Sequence, residues 1–323
     1  MQENRKILKE DYDAVVVGAG PNGLSAAITL RQAGLSVLLI EAKAEIGGGS
    51  RSSELTLPGY LHDVCSAIHP MALASPYFKT LALEKYGLHF IQPEFSVAHP
   101  FDDGSAAVLY KSVEQTAKSL GEDEAAYRQL IKPMVDHWNG IASNVLGPLR
   151  FPAHPLDMMR LGWFGLRSAQ QIARRFKTRE AKALWSGMAA HTMLPLSAIA
   201  TSAAAMVLLT TGHLYGWPLV KGGSSKITNA LLAYFFSIGG ELKTNLEVQS
   251  LTQLPVSKVI LLDVTPRQLL KIAGNKLTSI YKWQLENYKY GPGVFKIDWA
   301  LNGPIPFLSE SCRKAGTIHL GNT

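Results

Sequence analysis

The apolar positions change period twice between Asp13 and Glu41. Ala14 to Val17 is a continuous apolar run, mostly β-branched and stopped by a glycine, which predicts a buried strand over Asp13 to Val17 in a parallel sheet. From about Asn22 to Ala33 the spacing becomes helical: Leu24, Ala27 and Ile28 share one face, and Gly34 stands where a helix ends. Val37 to Ile40 is again continuous and predicts a second strand, closed by Glu41. Further on, Phe90–Ile91 and Ser96 to Phe101 predict strands, Asp102-Asp103-Gly104 a hairpin turn, and Ala106 to Tyr110 the returning strand. Ser112 with Gln115 starts a helix, and Glu122 to about Val145 reads as a longer one that Pro133 should kink or divide. Ile227, Ala230, Leu231, Tyr234, Phe235 and Ile238 form another helical stripe, stopped by Gly239 and Gly240. Leu246 to Val248 and Val259 to Val264 read as short strands, and Pro266 opens a helix to about Ile272.

This order predicts the α/β class, with a Rossmann-like dinucleotide-binding domain built on a parallel sheet and an inserted α+β substrate domain. The expected division is 1–75 and 216–265 for the first domain, 76–215 and 266–323 for the second. With 323 residues, 47% apolar and 18% charged, the chain can fill two such cores.

The turn between the first strand and helix carries Gly18, Gly20 and Gly23 in the spacing G-x-G-x-x-G. The first glycine permits the tight turn, the second lets backbone approach a pyrophosphate, and the third lets helix pack close to strand. A glycine-rich turn with no ligand is the other reading, but strand, helix, second strand and terminal acid fall in the order that nucleotide binding requires. Glu41 suits a ribose with a free 2′-hydroxyl rather than NADP. Gly47-Gly48-Gly49-Ser50-Arg51-Ser52 adds a second glycine motif.

Composition narrows the chemistry. Cys65 and Cys312 are the only cysteines and form no C-x-x-C or C-x-x-x-x-C pair, which excludes disulfide-exchange chemistry. The first 11 residues are charged and include three acids, unlike a secretory or mitochondrial leader, so a cytoplasmic location is expected. The formal charge of +7 concentrates in 150–182, where eight Lys or Arg residues interleave with aromatics and methionines. That stretch reads as a solvated helix face or as peripheral membrane contact; no nucleic-acid module accompanies it. Ala183 to Val220 carries no charged side chain, and Pro195 with its many Ser and Thr residues favours a core element or channel wall over a membrane span. No metal-ligand spacing is present.

Together VVVGAGPNGLSAAITL, Glu41, IGGGSRS, HDVCSAIHP, GWPLVKGGSSKITNALL, LLDVTPRQLL and GPGVFKIDWALNGPIP resemble the phytoene desaturase-related FAD-dependent oxidoreductases of the carotenoid desaturase and amine oxidase superfamily. The nearest subgroup is the one containing pyridine nucleotide-disulfide oxidoreductase domain-containing protein 2. The resemblance implies FAD, with Gly18, Gly20, Pro21, Asn22 and Gly23 along its pyrophosphate and Glu41 on the adenosine ribose. Gly47, Gly48 and Arg51 would approach the phosphates and flavin, and Val248 would read adenine through its backbone. It also implies a C-terminal segment beyond Gly316–Gly321 that completes the flavin site, so a chain ending at Thr323 is expected to lack that half.

The implied activity is hydride removal from an apolar substrate to flavin. A flavin-binding or flavin-free interaction protein and a reduced-FAD-dependent isomerase are the alternatives. His62, Asp63, His69 and His191 are candidates for proton handling, each also readable as structural. The residues assign no oligomeric state.

Overall fold

The computed structural model describes residues 11–147 and 151–321. Arg150, which opens the basic stretch, and the charged residues 1–10 lie outside them. Two compact units emerge: one comprises the residues up to Ala67, Ala82–His89 and Val220–Ala300; the other comprises Ile68–Leu81, Phe90–Leu219 and the residues from Leu301 on.

The first unit is a parallel sheet with its βαβ start intact. β1 (Asp11–Val17) leads through α1 (Pro21–Gln32) into β2 (Val37–Ile40), and the later α2 (Ser225–Ser237), β3 (Glu241–Lys243) and β4 (Val256–Leu262) complete a sheet of order β4-β1-β2-β3. All three pairings are parallel. β1 and β2 are central, so both faces must be dry, and Ala14, Val15, Val16, Leu39 and Ile40 are fully buried. On one face α1 packs against α2, burying Leu24, Ala27 and Ile28 from α1 and Ile227, Ala230, Leu231 and Phe235 from α2. Tyr12, Val15, Val17, Leu38, Ile40, Val248 and Ile272 form a separate apolar cluster.

That cluster explains a departure from the expected division. α3 (Pro266–Ala273) supplies Ile272 to it, and α4 (Ser279–Glu286) packs on α3, so residues 266–300 group with the nucleotide-type unit rather than with the second. α3 starts with Thr265 capping Gln268 in a reciprocal box and Pro266 in the first turn.

Strand placement also differs from the sequence pattern at one point. The strand paired with β2 is Glu241–Lys243, and Leu246–Val248 is loop. Asn245 adopts φ +56°, which turns the chain out of extended geometry, and the Leu246 N–H returns to the Glu41 carbonyl at 3.0 Å.

The second unit is α+β. Phe95–Pro100 pairs antiparallel with Ala106–Leu109 across the Asp102–Gly104 turn, and parallel with Ala315–Ile318. The expected break at Pro133 falls later: Glu124–Asp136 runs through the proline and ends at His137, after which Trp138–Val145 continues. The uncharged stretch resolves into Thr201–Tyr215, a helix buried along most of its length by Arg179–Ala189, Glu124–Asp136 and Pro155–Gly165. It is a core element. No helix among the described residues is long and apolar enough to cross a membrane.

Candidate functional site

Each of the three motif glycines meets a different steric demand. Gly18 sits at φ +107°, and a Cβ there would lie 2.4 Å from the Asp263 carbonyl oxygen, so the turn closes only without a side chain. Gly23 is buried by α1 against the turn, where a Cβ would lie 1.9 Å from the Gly18 carbonyl oxygen. Gly20 is different: its Cβ would meet nothing closer than 3.8 Å, so the fold itself does not require glycine there.

The second glycine motif is fastened to the first. Gly47 N–H donates to the Ala19 carbonyl at 2.9 Å, and a Cβ on Gly48 would stand 3.3 Å from Gly20 Cα. Two backbone segments therefore meet with no side chain between them, at the N-terminal end of a 12-residue helix whose dipole favours an anion and whose Gly23 N–H is already held by a carboxylate. A cavity of about 380 Å³ opens there. Gly18, Gly20, Pro21, Asn22, Glu41, Gly48 and Val248 line it.

Glu41 is fixed in the wall by backbone donors: one carboxylate oxygen accepts from Ala19 N–H at 3.0 Å and the other from Lys43 N–H at 3.0 Å. Val248 turns its side chain into the apolar cluster, where it is 7% exposed, and so contributes to the cavity from a loop held by its own hydrophobic anchor. Gly23, Gly47 and Arg51 are not among the lining residues. Gly23 lets the first turn of α1 pack on the Gly18 backbone, and Gly47 shapes the turn behind the cavity. Arg51 donates from Nε to the Gly48 carbonyl at 3.0 Å and borders a separate hollow with Glu45, Ser225 and Asn229.

Asp263, Gln268 and Lys271 also line the cavity and were not singled out from sequence. Asp263 follows the last residue of β4, and its carboxylate accepts the Gly23 N–H at 2.8 Å. An acid directly after an apolar run that pairs beside β1 was the available signal, because parallel strands bring their C-terminal ends to the same crevice. It depended on knowing which strand lies next to β1.

The four proton-handling candidates do not gather at this cavity. Asp63 accepts from Ser52 Oγ and from Ser224 N–H, both at 2.6 Å, so it secures the start of α2; Gly223 permits this approach, since a Cβ there would lie 2.6 Å from Ser52 Oγ. His62 places Nε2 2.7 Å from Thr56 Oγ1 and Nδ1 3.6 Å from Asp298. In the second unit, His69 precedes the short helix Pro70–Ala74, with its N–H on the Pro218 carbonyl at 2.9 Å. His191 Nε2 lies 3.0 Å from His319 Nε2, and burial lowers its pKa. Cys65 and Cys312 are both free. Among the described residues no group of three or more His, Cys, Asp or Glu side chains is placed to hold a metal ion.

Comparison with known proteins fits this geometry. Residues 16–82 match the NAD(P)-binding Rossmann-like domain. A limonene dehydrogenase component from Castellaniella defragrans is 24% identical over 73% of this chain and 45% of its own length. A 4,4'-diapophytoene desaturase of Methylomonas is 24% identical over 73% of this chain and 48% of its own. The mouse pyridine nucleotide-disulfide oxidoreductase domain-containing protein 2 is 34% identical over 38% of this chain and 20% of its own. These similarities support the reading of a phytoene desaturase-like FAD oxidoreductase. The fold agrees: putrescine oxidase bound to putrescine superposes with a TM-score of 0.55 at 21% identity, covering 85% of this chain and 63% of that one. The chain thus spans less than half the length of the limonene dehydrogenase and diapophytoene desaturase relatives.

Proposed function

We propose that this chain is the nucleotide-binding part of an FAD-dependent dehydrogenase or desaturase that removes a hydride from an apolar small molecule. The observation that carries the reading is the meeting of Gly20 and Gly48 backbone at the start of α1, beside the fixed Glu41 carboxylate. The residues present fit a dinucleotide: a cradle with no Cβ, a helix N-terminus and an oriented ribose acceptor. When bound, FAD supplies the hydride-accepting centre. Gly18, Gly20, Pro21, Asn22 and Gly23 form the pyrophosphate turn, with Gly47 and Gly48 closing it. Glu41 accepts from the ribose hydroxyls, Val248 presents backbone to the adenine, and Arg51, on its adjoining hollow, steadies Gly48. Lys271 adds a positive charge to the wall.

Two relatives are named for limonene and 4,4'-diapophytoene, which supports an apolar, isoprenoid-like substrate. The protein's contribution to such a reaction is to bind, orient and exclude water, with few titrating side chains needed. The cytoplasm, or a membrane surface facing it, is the proposed location.

Titrating purified protein with FAD tests the reading. FAD should be retained through gel filtration, while NADP should not be. Protein that neither retains nor takes up FAD would refute it.

A further inference from the structure

We infer that the outer face of the helix Pro155–Gly165, together with the adjoining Leu166 and Ile199, docks on an anionic lipid bilayer. This helix buries Leu161 and Gly165 on its inner side. Its outer side should be polar in an ordinary surface helix. Instead Leu156, Met159 and Trp163, spaced three and four apart on one stripe, are 67%, 66% and 67% exposed. The stripe continues beyond the helix: Leu166 is 68% exposed, and the Ala200 N–H bonds its carbonyl at 3.3 Å, which brings Ile199, 79% exposed, alongside. Phe151, four residues before the helix, is 88% exposed.

Charge selects the partner. From 151 to 182 the chain carries seven cations, of which Arg160 pairs with Asp157, Lys177 with Glu122, and Arg179 with Asp103 and Glu180; Arg167, Arg174, Arg175 and Lys182 carry the excess positive charge. Arg167 lies over the Trp163 ring at 4.9 Å, and Arg175 over Phe164 at 5.1 Å, so cations border the apolar stripe directly. A second copy of the chain would set this positive surface against itself. Nucleic acid would meet the charge but leave the apolar side chains wet. An anionic bilayer satisfies both, with apolar side chains below the headgroups and arginines among the phosphates. The helix has 11 residues, too few to span, so it lies in the plane of the surface. This inference does not rest on the FAD reading.

The test is co-sedimentation of the whole chain with vesicles of phosphatidylcholine, with and without phosphatidylglycerol. Binding to the mixed vesicles is expected, weakening as salt rises. Leu156→Ser with Trp163→Ser should lower it about tenfold or more, since two large apolar side chains no longer enter the headgroup region. Arg167→Glu with Arg175→Glu should lower binding to the anionic vesicles only. Ile280→Ser with Trp283→Ser, an exposed apolar pair in the other unit, should leave it unchanged. The inference fails if the wild type stays in the supernatant with both vesicles, or if the Ile280 and Trp283 variant loses as much binding. It also fails if the stripe variants convert a dimer to a monomer without lipid, or if the chain shifts an oligonucleotide while ignoring vesicles.

Discussion

Gly18, Gly20 and Gly23 belong to one motif, yet the protein should respond differently to losing each. A Cβ at position 20 makes only ordinary van der Waals contact, at 3.8 Å from the Asp263 carboxylate, so Gly20→Val should keep its melting temperature while losing FAD retention, because the branched side chain occupies the path where backbone would meet phosphate. Paired thermal melts and FAD gel filtration check both halves; a variant that still holds FAD would displace the pyrophosphate from this turn. Gly23→Ala should fail earlier, at folding, since its methyl would overlap the Gly18 carbonyl oxygen. Asp263→Ala leaves the Gly23 N–H without its acceptor and should lower stability by about 1 kcal/mol, read from the urea midpoint.

The helix Thr201–Tyr215 shows how an element's surroundings set its chemistry. Its His213 is buried, with Nδ1 3.1 Å from the Lys111 carbonyl and Nε2 2.8 Å from the Tyr127 phenol oxygen. The arrangement suits a neutral ring that donates from Nδ1 and accepts the Tyr127 O–H at Nε2. Burial pushes the His213 pKa down to about 4 from its ordinary 6.5, and burial also raises that of Tyr127, which stays a donor. A folded pKa below the unfolded one means that protonation favours the unfolded chain. The stabilisation is therefore complete above about pH 6.5 and falls away toward pH 4, by about 3 kcal/mol in all. Urea midpoints measured across that range should drop steeply for the wild type and less for His213→Gln; equal slopes would assign the loss to other groups, His319 first, whose pKa burial also pushes down to about 4.

For the whole molecule, ligand binding and folding are linked. FAD that binds only the folded chain should raise the melting temperature, by about 2.7 kcal/mol of stability at a hundredfold excess over Kd, while NADP should not, because Glu41 would face its 2′-phosphate. A fluorescence melt with each ligand checks this. Much of this site was legible along the chain because β1, α1, β2 and Glu41 are contiguous: the strand run, the helical stripe and the glycine spacing fall within 31 residues, Asp11 to Glu41. Local sterics act between near neighbours, so spacing alone dictates the turn. What the sequence left undecided involves partners far apart in the chain. Asp263 reaches the cavity only because β4 pairs with β1, and residues 266–300 group with the first unit because Ile272 completes an apolar cluster begun at Tyr12. Asp63 reads as an acid near a histidine, and becomes a helix anchor once Ser224 folds against it. Sequence by itself determined the dinucleotide turn and carried the family resemblance. The tertiary structure decided which acids serve the cavity, which serve packing, and that within the basic stretch Leu156, Met159, Trp163 and Leu166 face outward while Leu161, Ile172 and Phe176 are buried, since burial and pairing are properties of the assembled chain.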